Sequence, residues 1–76
     1  MVPRERLINK LEDVGLRLAD FGVRGDLFKG KVAGAVRYAS VPRRDLLDDE
    51  YVRQTLHLMG CDRDSIETFI ANNQAG

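Results

Sequence analysis

Apolar residues recur at helical spacing in the first third of the chain. Five of them follow one another in steps of four and three: Leu7, Leu11, Val14, Leu18 and Phe21. This interval places side chains on one face of a helix. Pro3 suits the first turn of such a helix and Gly22 suits its end. The pattern predicts one amphipathic helix that packs in a bundle.

A second pattern, over residues 48–73, predicts a helix, a tight turn and another helix. The first helix has an apolar face of Val52, Thr55, Leu56 and Met59, and the second has Ile66, Phe69 and Ile70. Asp48 is a suitable N-cap for the first helix, and Gly60 supplies the freedom that a sharp helix exit requires. Asp64 and Glu67 have the spacing of a capping box for the second helix.

The segment between these regions fits two descriptions. A helix starting at Asp26 and stopped by Pro42 would align five apolar residues, Phe28, Val32, Ala35, Val36 and Ala39. A strand or hairpin over residues 31–41 would instead place Val32, Val36 and Tyr38 on one face. We favour the helix. The predicted fold is therefore all-α, a single domain over residues 1–76 with about four short helices and a C-terminal helix-turn-helix unit. The alternative is α+β.

The helical interpretation also predicts a core. Its members are Leu7, Leu11, Val14, Leu18, Phe21, Phe28, Val32, Val36, Leu56, Met59, Ile66, Phe69 and Ile70.

Charge is divided unevenly along a chain whose net charge is zero. Residues 1–44 contain ten Lys and Arg against five Asp and Glu, whereas residues 45–76 contain two against seven. Two interpretations remain open: the halves attract one another within one domain, or the basic half presents a face to an acidic partner or to a second copy.

Composition limits the chemistry that the chain supports. One cysteine excludes an internal disulfide, and one histidine leaves too few soft ligands for a dedicated metal site. We expect no cofactor, no metal and no membrane-spanning segment, and a single reduced cysteine suits a cytoplasmic location.

Two local patterns could indicate catalysis. Residues 25–31 match GxxxxGK, but Val32 stands where a phosphate-binding loop needs Ser or Thr for magnesium. His57 and Cys61 are four residues apart, but Gly60 is expected to end the helix between them and no third orienting group is evident. We therefore predict a protein that is not an enzyme.

The region around Gly60 resembles two families. Leu58-Met59-Gly60 followed by a helix resembles the Met-Gly loop of ubiquitin-associated domains, which are three-helix bundles. The same unit is similar to helix-turn-helix motifs, whose second helix reads DNA bases. That resemblance implies a DNA-binding regulator, although the second helix here carries Asp62, Asp64 and Glu67.

The leading hypothesis is a small accessory or regulatory subunit that binds another protein, or a second copy, through its basic N-terminal half. A helix-turn-helix DNA-binding regulator is the alternative, and nucleic acid ranks behind protein as the partner. The predicted contact residues are Leu16, Arg17, Arg24, Lys29, Lys31 and Arg37, with Arg43 and Arg44 at the edge.

Overall fold

The computed structural model describes residues 1–76 and shows an α+β fold, with 39% helix and 30% strand. The prediction of an all-α helical bundle is therefore wrong. The helices are α1 (Arg4–Asp13), α2 (Asp49–Leu58) and α3 (Arg63–Asn72). The strands are β1 (Val2–Pro3), β2 (Arg17–Phe21), β3 (Asp26–Val32), β4 (Ala35–Val41) and β5 (Leu46–Leu47). No helix combines the length and apolar character that crossing a membrane requires.

The strands form two antiparallel sheets. The larger sheet has the order β2-β3-β4, so its central strand is β3 and both outer strands have a free edge. The smaller sheet pairs β1 with β5, which ties the N-terminus to the segment that enters α2. All three helices contribute to one core with the larger sheet.

The first helix is shorter than its apolar spacing predicts because it ends at Gly15. Gly15 has a φ of +114°, its N–H donates to the carbonyl of Glu12, and the N–H of Leu16 donates to the carbonyl of Leu11. These two hydrogen bonds define a Schellman motif, in which a left-handed residue terminates the helix. Leu18 and Phe21 consequently belong to strand β2 and not to a helical face.

The same motif ends α2, at the glycine that the sequence pattern identified. Gly60 has a φ of +86°, its N–H donates to the carbonyl of His57, and the N–H of Cys61 donates to that of Leu56. The chain then enters α3 through Asp62, whose Oδ1 accepts a hydrogen bond of 2.7 Å from the N–H of Ser65. The helix-turn-helix segment is present, with Asp62 in the capping position that we assigned to Asp64.

The middle segment is a β-hairpin, so the preferred helix over this region is wrong. Strands β3 and β4 are joined by the two residues Ala33 and Gly34, whose φ values are +50° and +82°. Two consecutive residues with positive φ form the turn type that matches the twist of paired strands. The alternative of a strand over residues 31–41 lay closer to the structure, although it missed most of β3.

The core draws on residues from every element except β2. Its buried apolar members are Val2, Leu7, Leu11, Leu16, Phe28, Ala39, Val41, Leu47, Val52, Leu56, Met59, Ile66 and Ile70. Three residues of the predicted core, Leu18, Phe21 and Val36, are exposed. Three others, Val14, Val32 and Phe69, are partly buried against it. Val36 is exposed because it lies on the strand face opposite that of Phe28 and Ala39. Leu18 and Phe21 belong to the edge strand β2, all of whose residues are exposed.

Candidate functional site: the outer face of the sheet

The larger sheet has one face covered by helices and one face that no element covers. Phe28 and Ala39 pair across β3 and β4 and lie in the core, so their neighbours in each strand point the other way. Residues that are paired across two strands lie on the same face, so the pairing shows which residues lie on the uncovered side. We call it the outer face: Arg17, Asp20, Leu27, Lys29, Lys31, Val36, Tyr38 and Ser40.

The outer face carries two lysines beside an exposed tyrosine and an exposed valine. Lys29 lies opposite both Arg17 and Tyr38, and its ammonium nitrogen is 5.7 Å from the centre of the tyrosine ring. Lys31 lies opposite Val36. The side chains of Tyr38 and Val36 are 55% and 49% exposed. Lys29 and Lys31 form no ion pair, whereas the Arg17 guanidinium donates to the carbonyls of Glu12 and Leu16 at 2.9 and 2.7 Å. The two lysines therefore present unpaired positive charge beside apolar area.

The eight predicted contact residues do not form one surface. Lys29 and Lys31 lie together on the outer face, whereas the guanidinium of the neighbouring Arg17 is bound at the end of α1. Leu16 is fully buried, so the expectation that it forms an exposed contact is wrong. Its burial follows from the Schellman motif, which packs the residue after the glycine against the end of the helix. Arg37 lies on the opposite, inner face, where its Nη1 donates to the carbonyl of Leu58 at 3.1 Å.

The remaining three arginines lie in the loops beside the sheet. Arg43 is held by Asp26, with its Nη2 2.8 Å from Oδ1, and it also donates to the carbonyl of Gly22. Asp26 is bound on its other oxygen by Arg4. Arg24 and Arg44 are exposed and form no ion pair or side-chain hydrogen bond. Arg43 therefore stabilises the fold, and only Arg24 and Arg44 are available beyond the outer face.

The charge difference between the two halves is not cancelled by direct pairing. Only one ion pair joins them, between the N-terminal ammonium and Asp49 at 3.1 Å. A hydrogen bond from Gln74 and the nearby ammonium lower the pKa of Asp49. The other ion pairs stay within a half. The interpretation in which the halves neutralise each other thus has little support from contacts.

The acidic half uses its charges to hold the two C-terminal helices together. Arg53 on α2 pairs with Glu67 on α3 at 2.7 Å and with Glu50 at 2.6 Å. The Arg53 guanidinium lowers the pKa of Glu67, and the hydrogen bond from Ser65 lowers the pKa of Asp62. An open groove between these helices includes Arg53 in its lining, but this guanidinium is already bound. The carboxyl groups with lowered pKa values therefore cap a helix, in the case of Asp62, and form an ion pair between helices, in the case of Glu67.

Neither of the two sequence patterns that could indicate catalysis forms an active-site arrangement. In the GxxxxGK match, residues 26–31 lie in strand β3 and only Gly25 precedes it, with Lys31 on the outer face. His57 is exposed on α2, whereas Cys61 follows the helix end and is partly buried against the core. No group of three or more His, Cys, Asp or Glu side chains is arranged to hold a metal ion.

The chain matches no family model, no curated protein and no solved structure. The three-helix bundle implied by the resemblance to ubiquitin-associated domains is absent, because four strands lie between α1 and α2 along the chain and the core is shared with a sheet. Sequence reasoning selected the cations of the outer face but missed Tyr38 and Val36 as surface residues. The β-branched and aromatic content of residues 35–41, bounded by Gly34 and Pro42, was the signal that could have indicated a strand there.

Proposed function

We propose that this protein is a non-enzymatic binding module whose outer face docks an acidic segment of a partner protein. The observation that supports it is the pair of lysines, Lys29 and Lys31, beside Tyr38 and Val36 on a face that nothing covers. An acidic partner relieves the mutual repulsion of these cations, since complementary potentials favour association. Tyr38 and Val36 supply the apolar contact that such interfaces place at their centre.

The distribution of perturbed groups supports a binding role over catalysis. Catalytic sites bring several groups with shifted pKa values together in a cleft. In this protein the pKa values of Asp62 and Glu67 are lowered by a helix cap and an ion pair, and both residues belong to the C-terminal helix pair and not to the outer face. The outer face itself is flat and exposed, which suits a docking surface better than a reaction site.

The DNA-binding alternative is weaker because α3 begins with acidic side chains. Asp62 and Asp64 are exposed at the end of the helix that would enter the major groove. These carboxylates would repel the phosphates on which such motifs rest. We therefore place the partner on the sheet and not on the helix pair.

Fluorescence anisotropy with labelled poly-L-glutamate tests the proposed face. The double variant Lys29→Gln/Lys31→Gln should bind about five- to tenfold more weakly, because each exposed ion pair contributes roughly 0.2–1 kcal/mol. The matched control, Arg44→Gln/Arg63→Gln, removes the same charge elsewhere and should bind like the unaltered protein. Both variants should keep its melting temperature.

Two results would overturn the proposal. One is equal weakening by the two double variants, which would mean that only total charge matters. The other is tight binding of polyuridylate with no binding of poly-L-glutamate at low salt, which would assign the face to nucleic acid. Genuine binding to the outer face should also weaken with salt, since exposed pairs are screened over about 8–10 Å.

A further inference from the structure

The free edge of β4 has backbone groups that point away from the sheet. In antiparallel strands, pairs that exchange hydrogen bonds alternate with pairs that do not. The two-residue turn is closed by the pair Val32 and Ala35, which sets the alternation. Val36 and Tyr38 therefore form pairs with β3 that do not exchange hydrogen bonds. Their N–H and C=O groups consequently face outward from the sheet.

A contact further along β4 agrees with this direction. Ser40 belongs to the same alternating set of β4 residues as Val36 and Tyr38, so its backbone groups also point outward. Its carbonyl accepts a hydrogen bond from the hydroxyl of Tyr51 on α2. Burial raises the pKa of Tyr51, which keeps the hydroxyl protonated as a donor. This contact covers the edge at Ser40. No side chain or loop forms a hydrogen bond with the backbone of Val36 or Tyr38.

The opposite edge of the sheet is protected. Strand β2 contains a bulge between Leu18 and Asp20, and bulges interrupt the regular row of groups that a new strand would need. In addition, Oδ1 of Asp20 accepts a hydrogen bond of 2.8 Å from the N–H of Phe21. Of the two edges, β4 is therefore the one prepared to receive a strand.

We infer that the edge from Val36 to Tyr38 binds the acidic segment of the partner as an added, extended strand. This inference rests on the proposed function and specifies how the segment is held. Adjacent strands lie about 4.8 Å apart, so outer-face side chains of an added strand lie about 10 Å from β3. Lys29 and Lys31 on β3 span that distance together with long acidic side chains on the added strand, because both kinds of side chain are flexible. The segment thus carries carboxylates at alternate positions, on the side of the outer face.

The inference is tested with two labelled peptides of alternating Glu and Thr that differ only in their backbone. One peptide has ordinary amides, and the other carries N-methyl groups on the residues whose N–H groups would face β4. The ordinary peptide should bind at least about tenfold more tightly, because the methyl groups remove donors and block close approach. On binding, the amide hydrogens of Val36 and Tyr38 should exchange at least about tenfold more slowly.

Each contrary outcome has a distinct meaning. Equal binding of both peptides, still weakened by Lys29→Gln/Lys31→Gln, would contradict strand addition and leave the proposed function intact. Absence of binding by either peptide at low salt would contradict both. Slow exchange at Val36 and Tyr38 without peptide, together with a dimer in sedimentation, would assign the edge to a second copy and overturn the inference.

Discussion

The two faces of the β2-β3-β4 sheet are built from alternate residues of the same strands, yet they have different roles. On the inner face, Phe28, Ala39 and Val41 are buried beneath the helices. On the outer face, Lys29 and Tyr38 are neighbours of those residues and remain exposed. One strand therefore supplies side chains both to the core and to the surface that we propose for binding. The effect of a substitution in this sheet therefore depends first on which face the residue occupies and only then on the type of side chain that is changed.

The largest expected effect comes from truncating the inner face. Phe28→Ala should lower the free energy of unfolding by about 3–5 kcal/mol, because it removes a buried aromatic ring and leaves a cavity. The adjacent outer-face change Lys29→Ala should alter it by less than about 0.5 kcal/mol. Urea denaturation followed by circular dichroism measures both. Similar losses from the two substitutions would mean that the faces are wrongly distinguished.

A smaller loss is expected where the end of α1 approaches the inner face. A Cβ atom at Gly30 would collide with the carbonyl oxygen of Gly15. Because both groups belong to the backbone, Gly30→Ala should cost about 1–3 kcal/mol through strain and displacement of the strand. Gly34→Ala is the control, since no atom lies near its added Cβ and only its φ of +82° opposes the change. In thermal melts, Gly30→Ala should have a lower melting temperature than Gly34→Ala.

Arg37 provides a test within the basic residues themselves. Its guanidinium extends across the inner face to the carbonyl of Leu58, at the C-terminal end of α2. Arg37→Gln should therefore lower the free energy of unfolding by about 0.5–1.5 kcal/mol, the value of one hydrogen bond. It should leave the affinity for poly-L-glutamate unchanged, unlike Lys29→Gln. Loss of affinity without loss of stability would place Arg37 with the outer face.

The smallest expected effect concerns Asp62, which belongs to neither face and serves as a reference. Hydrogen bonding to Ser65 lowers the pKa of this carboxyl from its ordinary value of 3.8. The ionised form stabilises the folded state, so its contribution is present above the ordinary pKa and is lost as pH falls through the lowered one. Melting temperatures between pH 6 and pH 2 should therefore fall less steeply for Asp62→Asn than for the unaltered protein. An unchanged slope would contradict this assignment.

The sequence identified the C-terminal helices because their signals are local. Asp48, Gly60 and the apolar residues between them agree with one another, and both helices form where they were predicted. The end of α1 at Gly15 was not predicted, although it has the same Schellman geometry, because the apolar spacing from Leu7 to Phe21 continues past Gly15. A Gly followed by a leucine, after a helical pattern, was the available signal.

The hairpin was missed for a different physical reason. Val32, Val36 and Ala39 fit helical spacing as well as they fit a strand, and Gly30 and Gly34 weaken both interpretations. What decides the outcome is tertiary: β3 pairs with β2 on one side and β4 on the other, and Gly30 allows α1 to end against it. The cations of the outer face were selected from the sequence, but which of them share a surface depends on that pairing.

The central claim, that the outer face docks an acidic segment at β4, is tested most directly by mapping backbone amide signals during titration with the alternating Glu-Thr peptide. The largest shifts should fall on Lys29, Lys31, Val36 and Tyr38, because these residues line the contact. The signals of α2 and α3 should move little. Shifts concentrated on α3, or spread evenly over both halves of the chain, would contradict the account.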